Sequence, residues 1–198
     1  MTSREPRDLH LTGDASADEL LSDNANALLI GMVLDQQVPM EKAFAGPAVI
    51  AERMGGTFDV RAIAAMEIDD FIALCSERPA VHRFPGAMAK RVHQVCQVLA
   101  EEYDADAEAM WRTAADGAEL KGLIARLPGF GDQKASIFTA LLGKQYGFAP
   151  QGWREAAGPY GEDGVYRSVA DVVDADSLSK VRDFKKSAKV AARAAKAS

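Results

Sequence analysis

Apolar residues along this chain recur at intervals of three and four and almost nowhere alternate with a period of two. That spacing stripes one face of a 3.6-residue helix, so it predicts an almost wholly helical protein. Ser16 and Asp18 open a short helix running through Leu21. Asp23 or Asn24 caps the next, NANALLIGMVLDQQ, which is apolar on nearly every side and belongs inside. Pro39 marks a break, and MEKAFAGPAVIAERM follows as a helix stopped by Gly55 and Gly56. FDVRAIAAM and IDDFIALCSE read as two short helices, and Pro79 and Pro85 frame a loop. PGAMAKRVHQVCQVLAEEY is a long amphipathic helix with Pro85 in its first turn. Val92, Val95, Leu99 and Tyr103 form its inner stripe; Lys90, Arg91, Glu101 and Glu102 face water or a ligand. DADAEAMWRTAAD, AELKGLIARL and DQKASIFTALLGKQYG are further helices, with Trp111 in the core. FAPQGWREAAGPYGEDG is rich in Gly and Pro and reads as loop with one turn of helix. The chain closes with a short helix and then a basic, Ala-rich one.

One break in this pattern is unlike an ordinary loop. At residues 127–135 the chain reads LPGFGDQKA, with an apolar start, two glycines bracketing a Phe and a basic residue three places on. Gly129 and Gly131 are free to take positive φ, and Phe130 between them can tuck under the turn and lock the flanking helices together. The second helix starts at about Asp132, leaving its first N–H groups unpaired. With the amides of the glycine turn they make an anion-binding nest at the positive end of a helix dipole, and Lys134 adds a charge. The ligand this favours is a single phosphate. A nucleotide-cradling GxxxxGK[ST] loop is absent from the sequence.

Composition narrows the class. The 198 residues are 48% hydrophobic and 26% charged, as in a soluble globular protein, and no apolar run approaches the ~20 residues of a membrane span. The stretch MTSREPRDLHLTGD has no apolar signal core, which points to the cytoplasm. Two cysteines, Cys75 and Cys96, exclude a four-cysteine zinc or iron–sulfur site within the chain. His93 and Cys96 share a helix face, but too few further ligands exist to expect a metal. Net charge is −6, unevenly spread. Residues 178–198 hold seven bases (Lys180, Arg182, Lys185, Lys186, Lys189, Arg193, Lys196) and one acid, Asp183, so that segment is +6 and residues 1–177 carry −12. An acidic body with a basic tail points to a polyanion partner.

LPGFGDQKA resembles the helix-hairpin-helix of the HhH-GPD superfamily of base-excision DNA glycosylases, in its small bacterial-type form without the iron–sulfur motif. LLIGMVLDQQVPMEKAF, residues 28–44, looks like that family's early helix ending in a Gln-Gln pair, and FPGAMAKRVHQVCQVLAEEY like its following G-x-x-x-x-K-A-x-x-I helix. The order and rough spacing fit over residues 24–146. The resemblance implies an all-α fold of two helical lobes with a DNA-binding cleft between them. Residues 40–146 would form the hairpin-bearing lobe, the N-terminal segment and C-terminal helices the other, and 178–198 a basic helix or tail. It implies a monomer acting on double-stranded DNA with a damaged or abasic site, cytoplasmic and nucleoid-associated, with no cofactor. Gly129, Phe130, Gly131, Gln133 and Lys134 would hold a phosphate beside the lesion, and Gln36 or Gln37 would fill the gap left by a flipped nucleotide.

Breaking the N-glycosidic bond of a flipped base develops positive charge on the sugar, and a carboxylate near C1′ stabilises it. In the resembled family this is an Asp in a V-D-T-H-like segment, eighteen residues after a lysine that some members use as nucleophile. Here the lysine position is Gln133 and the Asp position is Gln151, so no imine-forming lyase is expected. Glu155, then Glu162 and Asp163, are candidate replacements from the following loop, and Asp35 is another from the end of the early helix. Trp153 falls at the family's His; it stacks on a base or sugar, or belongs to the core.

Overall fold

A computed structural model describes residues 7–196, all of whose regular structure is helical. Residues 1–6 and 197–198, and the side chain of Lys196, lie outside what is described. The elements are α1 (Ala15–Asp23), α2 (Ala25–Leu34), α3 (Met40–Arg53), α4 (Val60–Ala65), α5 (Ile68–Ser76), α6 (Pro85–Glu102), α7 (Ala107–Arg112), α8 (Gly117–Ala125), α9 (Asp132–Leu141), α10 (Trp153–Ala157) and α11 (Ala175–Lys196). A π-helical turn, Leu142–Tyr146, prolongs α9, and two 3-10 turns, Gly158–Tyr160 and Val169–Asp171, lie between α10 and α11.

Capping side chains set several of these starts. Asp14, Asn24, Asp59, Asp106 and Asp116 each accept from first-turn amides of α1, α2, α4, α7 and α8, satisfying donors a helix leaves unpaired. Asp14 therefore opens α1, just ahead of the expected Ser16 and Asp18, which lie inside its first turn, and of Asp23 and Asn24 it is Asn24 that caps α2. The chain ends in one continuous helix from Ala175, so the expected boundary at 178 falls inside α11, whose Ser177 and Val181 are buried against the body.

Eight consecutive residues of α2, from Ala27 to Leu34, are buried, and α1, α3, α6 and α7 all pack around it. Each large apolar side chain taken out of water there contributes on the order of 1.5–3 kcal/mol. α6 turns its stripe of Val92, Val95, Cys96 and Leu99 into the same core, with α4 and α5 against its flanks. α8, α9 and α10 pack on one another, and α7 connects them to α2. Trp111 on α7 stacks edge-on to both Phe138 and Tyr146, at 5.8 and 5.4 Å between ring centroids. This packing fixes the end of α2 and the start of α9 close together, and there the unusual turn lies.

Candidate functional site

The turn between α8 and α9 is built from its backbone. Arg126 and Leu127 close the last turn of α8 by donating to Leu123 and Ile124, and Phe130 N donates to Leu127 O at 3.1 Å. Gly129 then reverses the chain with φ +82°, where a Cβ would also meet Arg91 Cδ at 3.0 Å. Gly131 does not share this conformation. It is extended, φ −106° and ψ 179°, as the residue before a helix must be, and a Cβ there would meet nothing within 4 Å. The expected positive φ holds at one glycine of the pair. Phe130 is 8% exposed and stacks on Phe138 of α9, so its ring locks the turn from inside and has no face for a ligand.

The first amides of α9 are open. No acceptor among the described residues bonds to the N–H of Gly131, Asp132, Gln133 or Lys134. Asp132 turns away from them toward Lys121, 2.7 Å off. Gln133 is exposed, and its Nε2 donates to Tyr160 Oη at 2.8 Å.

Lys134 points into the molecule. Its Nζ donates to Val33 O at 3.0 Å, at the carbonyl end of α2, where a cation complements the helix dipole. Burial pushes the ammonium down to about 8, against the pull of Asp35 upward, while Arg91 adds to the fall. This contact spans 101 positions and seats the turn beside residues 35–37.

Those residues are held from several sides. Asp35 is mostly buried, its side chain 12% exposed, and Lys185 Nζ of α11 stands 3.7 Å from Oδ2. The Gln36 carbonyl accepts from His82 Nε2 at 2.9 Å, and its side-chain oxygen accepts from Arg91 Nη1. Phe84 N donates to His82 Nδ1, which fixes the proton on Nε2. Burial holds the His82 ring below its ordinary pKa, so it is a neutral strut at pH 7. Gln37 is exposed with φ +57°, a left-handed conformation uncommon for a non-glycine residue and frequent at functional sites. Phe84, 43% exposed, lies beside His82 with the Arg83 guanidinium over its ring. The loop VHRF held a His, a cation and an aromatic between two prolines; that cluster was the available signal for His82 and Phe84, while Arg91 was legible only as an outward-facing cation.

The other candidates lie elsewhere. The Gln151 carbonyl accepts from Gly117 N, the first residue of α8. The turn follows the opposite end of that helix, about 12 Å along its axis. Gln151 and Glu155 are exposed. Trp153 is 8% exposed and its ring packs on Gly143, so of the two readings open for it the core holds. Asp163 pairs with Arg154, Glu162 with Arg167. His93 Nε2 is bonded to Met66 O and Cys96 is fully buried. Of the carboxylates named from the sequence, Asp35 is the one that Lys134 joins to the turn.

No protein-family model matches the chain, and neither a curated protein nor a solved structure matches it.

Proposed function

We propose that this chain is a base-excision repair protein of the HhH-GPD kind, which binds duplex DNA at the face formed by the α8–α9 turn and residues 35–37 and removes a damaged base by hydrolysis. In this reading α8, the turn and α9 are a helix-hairpin-helix, and the duplex lies in a cleft between two lobes. The observation that carries it is the set of open amides at Gly131, Asp132, Gln133 and Lys134, with free space over Gly131, in a turn that Lys134 and Arg91 tie to the segment holding Asp35 and Gln37. A phosphate approaches bare backbone there and meets a helix dipole, with the inward-turned Lys134 ammonium adding its field from behind the turn. Gln37, already exposed on a strained backbone, enters the stack when a nucleotide leaves it. Gln36, clamped by Arg91 and His82, gives that loop its rigidity, and the exposed Phe84 ring offers a stacking surface.

Asp35 supplies the charge that Gln151 lacks. The C1′–N bond breaks with its electron pair leaving on the base, which takes up a proton. Water adds at C1′ and gives its proton to the carboxylate, which also stabilises the sugar cation. The test is a set of duplexes carrying uracil, oxidised, alkylated and abasic sites. Base release from one of them, lost in Asp35→Asn while binding persists, is the expected result. The amide at position 151 favours a second reading, a non-catalytic module for damaged or bent DNA, which expects tight abasic-site binding and no base release. Absence of salt-dependent binding to every duplex overturns both.

A further inference from the structure

The last helix carries a row of cations that the turn does not involve. Residues 182–195 of α11 are all exposed. At 100° per residue, Arg182, Lys185, Lys186, Lys189 and Arg193 fall within an arc of about 100°. Two of the five are tied to the body, Arg182 to Glu41 and Lys185 to Asp35. These contacts orient the whole stripe, because Glu41 and Asp35 flank the Gln36–Gln37 loop on either side in sequence. Lys186, Lys189 and Arg193 continue the same stripe outward with no carboxylate partner among the described residues.

We infer that α11 is an arm that tracks the DNA backbone to one side of the site, with Lys186, Lys189 and Arg193 on successive phosphates. The inference rests on the DNA-binding reading above and adds to it a second contact region and a direction. The stripe from Arg182 to Arg193 spans about 16 Å of helix, the length of roughly five base pairs. Charge complementarity selects the occupant: three unpaired cations in line suit a line of phosphates. An anionic membrane also attracts such a stripe, but outside the stripe this part of the helix offers only Phe184 and Val190 as large exposed apolar side chains, among alanines, too little apolar surface for insertion. The stripe also starts at the site itself.

The experiment compares the full chain with the triple variant Lys186→Gln, Lys189→Gln, Arg193→Gln. Affinity for an abasic duplex is measured from low to moderate salt, and again on duplexes shortened from either end. The triple variant should keep its helical signal and bind, with a log–log salt slope shallower by about 2.7. Its affinity should also stop depending on the outermost ~5 base pairs of one flank. The Lys186→Arg, Lys189→Arg variant should restore wild-type behaviour. An unchanged slope in the triple variant overturns the arm while leaving the turn site standing; no DNA binding by the wild-type chain overturns the DNA reading as well. Equal or stronger binding of the wild type to phosphatidylserine vesicles, lost in the triple variant while DNA binding is unchanged, assigns the stripe to a membrane and overturns the arm.

Discussion

The two ends of the α8–α9 pair are built on opposite principles. At the end where α9 runs on into its π turn, cations and acceptors are matched. Lys144 pairs with Asp171 at 2.6 Å and also donates to Glu162 O; Arg154 pairs with Asp163 and Arg167 with Glu162. Gly143 is bare because the Trp153 ring fills the space over it, where a Cβ would stand 2.4 Å from ring carbons. At the turn, Gly131 is bare with nothing over it, four amides lack acceptors among the described residues, and Lys134 and Arg91 stand near each other with Asp35 as the nearby acid. Glycine thus serves two ends in one helix pair. One position is closed by the protein's own tryptophan. The other has open space over it.

The largest effect of a single substitution is expected at the closed end. Lys144→Met strands the Asp171 carboxylate, whose side chain is 4% exposed, without its cation. Loss of one member of such a buried pair costs about 3 kcal/mol or more, so thermal denaturation should show a fall of roughly 6–12 °C for a chain of this length. Binding of DNA by the folded fraction should be unchanged. A matching loss of affinity would mean that the two ends are not separate.

At the open end the balance reverses. Gly131→Glu places a carboxylate over the amides of α9. Gly131 is extended and unobstructed, so the helical signal and melting temperature should stay near wild type. Binding to an abasic duplex should weaken about a hundredfold, which is ~2.7 kcal/mol. Wild-type affinity in this variant would remove the turn from the interface.

How much of this was legible in the sequence follows from the range of each interaction. Periodicity, prolines and capping residues are local, and they placed nearly every helix, including the single turn of α10. The open amides were legible too, because a Gly in front of a helix leaves no side chain to cap it. Contacts across long separations were not. Nothing in DQKA says that Lys134 turns inward to Val33, or that Arg91 reaches Gln36 across 55 positions. The π turn, which seats Gly143 beneath Trp153, has no sequence signal of its own. The tail read as a basic segment from 178, but that its cations form one oriented stripe depends on two ion pairs, to Asp35 and Glu41, that composition cannot show.

The smallest expected effect is the one that separates Lys134 as a ligand contact from Lys134 as a strut. Burial sets its folded pKa at about 8, below the ordinary lysine value of 10.5. Asp35 opposes that shift and Arg91 assists it, while His82, held below its own ordinary value, stays neutral above pH 7. Between about pH 8 and 10.5 the unfolded chain therefore holds a proton that the folded chain has released, so stability rises with pH across that window. The stability withheld below pH 8 is the cost of burying the charge. DNA affinity should move the other way. As pH rises from 7 to 9 the ammonium is lost, and binding should weaken several-fold, consistent with one charge–phosphate contact of roughly 1 kcal/mol. Lys134→Gln should bind at pH 7 about as the wild type does at pH 9, with no further change between them. Its denaturation curves should lack the wild type's gain in stability above pH 8. Opposite slopes for binding and stability, both abolished by the one substitution, are the signature of a cation held at a cost to the fold for the sake of an anionic ligand. Parallel slopes, or binding indifferent to the substitution, would make Lys134 a strut between α9 and α2 and leave phosphate capture to the amides alone.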